Sequence, residues 1–250
     1  MATKETHLTY GLRRDDSMRA RAENSRSPQA FQDATRLQNS FTAAVERRML
    51  LWLAPRLPHW VQPDHLTLLG FAAMFLAGAG YALARWTPAG LLIATLGLAL
   101  NWFGDSMDGT LARFRCRQRP RYGFYVDHMI DSIGAAFLMS GLALSGFVSP
   151  RIAFGMLVAY LLLSIEAYLA AYALASFQLA FGKIGPTEIR LLLMLGNTVL
   201  WLHPSATAFG LPYKLLDVGG AIAIAAMAAV LIASAIQHTV DLYREETLRS

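Results

Sequence analysis

Two stretches decide how this chain reads: Gly104-Asp105-Ser106-Met107-Asp108-Gly109-Thr110-Leu111-Ala112-Arg113 and, after a spacer of nine residues, Gly123-Phe124-Tyr125-Val126-Asp127-His128-Met129-Ile130-Asp131. Each sets two aspartates beside a strongly apolar segment. Asp105 and Asp108 are three apart and Asp127 and Asp131 four apart, so on helices each pair shares one face. Like charges on one face repel, and at a membrane border the repulsion is poorly screened. A carboxylate drawn toward hydrocarbon costs several kcal/mol. A cation must compensate. Oxygen-only ligands from two antiparallel helix ends suit hard ions such as Mg²⁺ or Mn²⁺, and four carboxylates are enough for two such ions about 4 Å apart.

A metal pair of that kind can bind a diphosphate, neutralise its oxygens and stabilise the charge that develops on a departing phosphate. The neighbouring residues fit that use. Gly109 and Ala112 lie one turn apart beside the acids, and their small side chains let a nucleotide approach the backbone. Arg113 can meet phosphate with its fork of donors.

Outward from this core the chain is built of apolar segments. Six are expected, roughly Leu66 to Ala84, Ala89 to Ser106, Val126 to Gly146, Ile152 to Ala180, Ile189 to Leu202 and Val218 to His238. About twenty apolar residues span a bilayer, so the segments predict an all-α, polytopic membrane protein with six transmembrane helices. The fifth is short for a span and reaches the needed length only with Pro186 to Glu188 added, or with less tilt. Before the first span, Phe41, Val45, Met49 and Trp52 recur at helical spacing while Glu46, Arg47 and Arg48 fall on other faces. That pattern predicts an amphipathic helix lying in the headgroup plane. Residues 1–39 are rich in Arg, Ser, Gln and acids without hydrophobic period, and read as a disordered cytoplasmic tail ahead of a membrane domain over residues 40–250.

Composition agrees with a membrane protein. Of the 250 residues, 55% are hydrophobic and 16% charged, below the roughly 25% charged of soluble domains, and the mean hydropathy is +0.37. The net charge of +5 and pI near 9.6 come largely from arginines outside the apolar runs, which favours anionic lipid headgroups or phosphates as partners over nucleic acid. The single Cys116 excludes a disulfide framework and a multi-cysteine metal site. No short apolar leader precedes the first span. Arg47, Arg48 and Arg56, and the loop holding Arg113, Arg115, Arg117, Arg119 and Arg121, mark the cytoplasmic side; the alternate loops hold only Arg85, Arg151 and Lys214. Both termini and the acidic motif are expected to face the cytoplasm.

The residues from Asp105 to Asp131 resemble the CDP-alcohol phosphotransferase family, whose signature runs Asp, two residues, Asp-Gly, two residues, Ala-Arg, a spacer, Gly, three residues, Asp, three residues, Asp. Every fixed position matches, although the spacer from Phe114 to Tyr122 is longer than the family's usual one. Pro63-Asp64-His65-Leu66-Thr67 is similar to the family's Pro-Asn-x-Leu-Thr opening of the first span, with Asp64 in place of Asn. The resemblance implies six transmembrane helices, a homodimer, and a dinuclear Mg²⁺ or Mn²⁺ site on Asp105, Asp108, Asp127 and Asp131. It also implies Asp131 as the general base toward the acceptor hydroxyl, and nucleotide or phosphate contacts at Gly109, Ala112, Arg113, Gly123 and Thr67. The implied reaction is phospholipid synthesis, in which an alcohol attacks a CDP-linked donor and CMP leaves. CDP-diacylglycerol with a polar alcohol is favoured by the basic rim. The mirror reading takes CDP-choline or CDP-ethanolamine with diacylglycerol.

Other residues carry weaker signals. Glu166 lies inside the fourth span and must find a partner or a wet cavity, so it is a candidate for the substrate cavity. Lys183, Thr187, Glu188 and Arg190 cluster on the cytoplasmic side and are candidates for the same cavity. Arg115 to Arg121 read as an ordinary positive-inside loop, His128 as structural, Cys116 as a loop thiol without function, and Trp86, Trp201 and Tyr213 as interfacial anchors. Two other classes compete. A membrane prenyltransferase would show more spans and lack the Asp-Gly-x-x-Ala-Arg pattern, and a small cation transporter would carry acids near mid-membrane on several helices.

Overall fold

The computed structural model describes residues 42–174, 185–203 and 214–246, and among these the chain is helical, with no strand. The expected tail, Lys183 and Tyr213 lie outside the described residues. Seven α-helices follow in order: α1 (Ala43–Leu53), α2 (Pro63–Leu83), α3 (Ala89–Phe114), α4 (Pro120–Leu144), α5 (Pro150–Leu174), α6 (Pro186–Leu202) and α7 (Leu215–Glu245). Four of them begin on a proline, whose missing N–H is one that a helix start leaves unpaired in any case. Each of the six apolar segments falls mainly on one of α2 to α7, with residues 175–180 of the fourth lying outside the described residues. The acidic motif is helical on both sides of its spacer, because α3 runs through it to Phe114 and α4 opens before it at Pro120.

Among the described residues, three of the six helices α2 to α7 are long and apolar enough to cross a membrane: α2, α5 and α7. The other three fall short for identifiable reasons. α3 and α4 carry the aspartate pairs, and α6 has 17 residues.

Small residues set how the helices meet. Gly90, Gly97 and Gly104 recur every seven residues along α3 and lie against Ala84, Ala77 and Gly70 of α2, which recur every seven in the opposite direction. A Cβ built on Gly97 would stand 2.6 Å from the Ala77 nitrogen, and one on Gly104 2.6 Å from the Gly70 nitrogen. The two backbones are therefore in contact, as small residues permit in membrane helix pairs. Asn101 adds a hydrogen bond from its amide to the Gly70 carbonyl at 3.0 Å. On the other side α2 meets α4, where a Cβ on Gly141 would stand 2.0 Å from the Gly78 carbonyl oxygen.

The apolar core forms around these contacts, with Tyr81, Leu91, Leu98, Leu142 and Val148 fully buried. α6 is fixed to it by a polar chain in which the Tyr81 hydroxyl donates to Asn197 Oδ1 at 2.9 Å and Asn197 Nδ2 donates to Thr95 Oγ1 at 3.0 Å. α5 packs on α4 and carries α7 alongside, Gly155 lying against Ile224 and Gly220 against Ile152. α1 packs Leu50 and Ala54 on Leu66, Met107 and Leu111. Its other side exposes Val45, Met49 and Trp52, with the Arg56 guanidinium 3.9 Å over the Trp52 ring. Phe41, the first member of the expected apolar stripe, lies outside the described residues.

Gly141→Ala should destabilise the protein by about 3 kcal/mol, because two backbones must separate to admit one methyl group. Gly219→Ala, on α7 with nothing within 4 Å, should leave the thermal midpoint in detergent unchanged or raised. Tyr81→Phe should cost about 1–3 kcal/mol by stranding the buried Asn197 carbonyl, read in the same unfolding measurement.

Candidate metal centre

α3 brings Asp105 and α4 brings Asp127 and Asp131 to one place, where an oxygen from each lies within 4.8 Å of the others. All three are partly buried. Asp108, one turn after Asp105, accepts a hydrogen bond from the Thr67 hydroxyl of α2 at 2.6 Å. That bond depends on the closeness of α2 to α3 at Gly70 and Gly104. Thr67, expected at the nucleotide, thus touches the acidic motif directly.

Arg190 of α6 reaches across to Asp105, with Nη2 donating to Oδ2 at 2.7 Å and both side chains largely shielded from solvent. Thr187 and Glu188, expected with Arg190 at the cavity, bond elsewhere. Thr187 donates to Glu46 of α1 at 3.1 Å, and Glu188 accepts the Thr42 amide and hydroxyl at 3.0 and 2.7 Å and the Gly185 amide at 2.8 Å. Glu46 also accepts from Trp102 Nε1 at 3.1 Å and from the Ser106 hydroxyl at 2.6 Å, next to Asp105.

A further polar stripe runs along α5 beside the aspartate-bearing helix: Tyr160, Ser164 and Tyr168 are four apart, and the Tyr168 ring lies against that of His128, the residue after Asp127. This stripe and Glu46 were not among the site residues expected. The spacing of Tyr160, Ser164 and Tyr168 along an otherwise apolar segment is a signal that could have found the stripe. His128 is buried, stacked on Phe124 at 4.1 Å between centroids and lying 4.6 Å from Tyr168, with Nδ1 3.8 Å from Asp127.

The remaining candidates are placed as follows. Gly109 sits beside its own motif arginine, with Arg113 Nη1 3.4 Å from where a Cβ would stand. Ala112 is half-buried, Arg113 is exposed, and Gly123 faces open space. Arg115 donates to the carbonyls of Leu57, Pro58 and Val61, Arg117 to Gln62, and Arg119 pairs with Asp64. These three arginines tie the spacer to the segment that leads into α2. Glu166 finds a partner in His238 of α7, whose Nδ1 lies 2.6 Å from Oε1.

The chemistry of this donor set fits a divalent cation. If Asp105, Asp127 and Asp131 were all ionised, each pair of oxygens within 4.8 Å would repel by roughly 3 kcal/mol at an effective dielectric of about 20. The three pairs together approach the whole stability of an ordinary domain. Arg190 brings one positive charge to three carboxylates, and the excess negative charge is what a hard cation offsets.

Comparison with known proteins agrees with this site. A family model described as CDP-alcohol phosphatidyltransferase matches residues 60–237. Archaetidylinositol phosphate synthase of Pyrococcus horikoshii is 30% identical over 120 residues, 48% of this chain and 57% of that protein. Cholinephosphotransferase 1 of Gallus gallus is 29% identical over 148 residues, 56% of this chain and 43% of that protein, and its Homo sapiens counterpart 28% over 173 residues, 60% and 40%. The chain thus matches about half the length of these relatives. Because the family match spans most of the chain and encloses all four aspartates, the protein belongs to the CDP-alcohol phosphatidyltransferase family.

Proposed function

We propose that this protein transfers a phosphatidyl group from CDP-diacylglycerol to the hydroxyl of a polar alcohol, with release of CMP. The observation that carries the reading is the convergence of Asp105, Asp127 and Asp131, with Arg190 beside them, inside a match to the family. Asp105, Asp108, Asp127 and Asp131 would hold two divalent cations, Mg²⁺ or Mn²⁺, which neutralise the oxygens of the donor diphosphate. The acceptor oxygen attacks the phosphorus that carries the lipid, the bond from that phosphorus to the bridging oxygen breaks, and the bridging oxygen leaves with CMP. Asp131 accepts the proton of the attacking hydroxyl. Gly109, Ala112, Arg113 and Gly123 are proposed to meet the nucleotide and its phosphates, and Thr67, bonded to Asp108 at 2.6 Å, to hold that carboxylate in place. Lys183 and Arg190 are proposed at the phosphate entrance, with Thr187 and Glu188 tying the start of α6 to Glu46 and Thr42.

The second reading, CDP-choline or CDP-ethanolamine with diacylglycerol as acceptor, is supported by the similarity to the two cholinephosphotransferases. The first relative's name places inositol phosphate among the acceptors to be tried. The proposed setting is a homodimer whose protomers each cross the membrane six times, with α1 in the headgroup plane. Val45, Met49 and Trp52 would enter the lipid there, beside Arg47, Arg48 and Arg56 at anionic headgroups. Both termini, the polar tail over residues 1–39 and the aspartates would face the cytoplasm, where water-soluble substrates are found.

Purified protein in mixed micelles with Mg²⁺ or Mn²⁺ should release labelled CMP from CDP-diacylglycerol when given one of glycerol phosphate, serine, inositol or inositol phosphate. CMP release only from CDP-choline or CDP-ethanolamine would select the second reading, and none from any donor would defeat both. Asp131→Asn should retain donor binding and lose transfer by at least about a hundred-fold. Turnover at the wild-type rate would remove Asp131 as base. Thr67→Val should lower kcat/KM by about ten-fold while Thr67→Ser stays near wild type, because the hydroxyl's bond to Asp108 is what changes.

A further inference from the structure

At the start of α1, Thr42 and Glu46 are bonded to the two elements that make the Arg190–Asp105 pair. Thr42 and Glu46 are four apart, so they share one face of the helix start. Thr187 and Glu188 are adjacent in the first turn of α6. The four residues bond reciprocally, Glu188 accepting from Thr42 and Glu46 accepting from Thr187. The free oxygen of Glu46 is also engaged: Oε1 accepts from Trp102 and Ser106, four apart on α3. One carboxylate therefore joins three helices.

The placement of its partners gives that junction a consequence. Ser106 is the residue after Asp105, and Thr187 stands one turn before Arg190. Glu46 thus grips α3 and α6 immediately beside the two residues whose side chains meet at 2.7 Å. Three donors on one part-buried carboxylate make a rigid tie, since hydrogen bonds to a charged acceptor are stronger than neutral ones. What the arrangement needs at this position is acceptor oxygen, and an apolar residue would satisfy none of Trp102, Ser106 and Thr187.

We infer that Glu46 is a positioning residue for the metal centre: through Ser106 and Thr187 it sets the separation of Asp105 from Arg190, and so couples the seating of α1 to the geometry of the aspartate cluster. Glu46 itself touches neither substrate nor cation. The inference rests on the proposed metal-dependent transfer, and it adds a residue that the acidic motif does not contain.

The test is Mn²⁺ binding to the full-length protein in lipid nanodiscs, followed by the loss of the free Mn²⁺ electron paramagnetic resonance signal, with CMP release and thermal midpoint measured on the same samples. Glu46→Ala should weaken Mn²⁺ binding by about ten-fold and raise the Mn²⁺ needed for half-maximal rate in parallel. Glu46→Gln, which keeps the shape and one acceptor oxygen, should restore binding to within about three-fold of wild type. Thr187→Val and Ser106→Ala, each removing one donor, should fall between, and they decide the matter if Glu46→Ala does not fold. A purely structural role would lower the midpoint while the folded protein kept wild-type Mn²⁺ affinity, and that result overturns the inference. Wild-type protein that binds Mn²⁺ but releases no CMP would defeat the transfer reading alone, leaving the Mn²⁺ series to judge Glu46. Wild-type protein that binds no Mn²⁺ would overturn both.

Discussion

Contact between the backbones of α2 and α3 is the constraint on which the site depends. Gly70 against Gly104, Ala77 against Gly97 and Ala84 against Gly90 repeat at the same interval in opposite directions, so the two helices have one register in which α3 presents no Cβ at any close contact. A shift of one residue would drive side chains into backbone. With that register set, Thr67 stands opposite Asp108 and Asn101 meets the Gly70 carbonyl. The acidic motif is therefore placed by residues that have no charge and no chemistry of their own.

The second constraint is electrostatic and opposes the first. Packing draws an oxygen of each of Asp105, Asp127 and Asp131 within 4.8 Å of the others, where three ionised carboxylates would repel by a sizeable fraction of an ordinary domain's stability. The protein keeps them together through groups that hold helices rather than charges. Tyr81, Asn197 and Thr95 pin α6 at its middle, Glu46 and Glu188 pin its start, and Arg190 projects from between these fastenings to Asp105. Three carboxylates held this close form a set that could take a divalent cation, whose charge would offset their repulsion.

The arginines illustrate how the same residue type serves two purposes. Arg115, Arg117 and Arg119 lie in a segment whose positive charge is, by sequence alone, the expected mark of a cytoplasmic loop, and that bulk property needs no partner. In the structure each also caps carbonyls or pairs with Gln62 and Asp64, closing the spacer onto the start of α2. The departure at Asp64 is explained by this, because an aspartate there pairs with Arg119 as an asparagine would not. Glu166 shows the converse. An acid inside an apolar span requires a partner, and His238 supplies it from α7, a helix packed against the same span.

What could be read from the chain alone was whatever depends on neighbours three or four residues away: the helical segments, the shared faces of the two aspartate pairs, and the chemistry that four carboxylates demand. Local helical geometry dictates these, and it repeats wherever the pattern repeats. The partners of those residues were not legible in this way. That Thr67 serves Asp108, that Arg190 meets Asp105, that Tyr168 lies against His128, and that Glu46 joins three helices all depend on helix register and rotation. These are decided by contacts between residues far apart in the chain, 41 positions for Thr67 with Asp108 and 141 for Glu46 with Thr187. No period along the chain encodes such distances; only the close fit of one helix surface on another settles them.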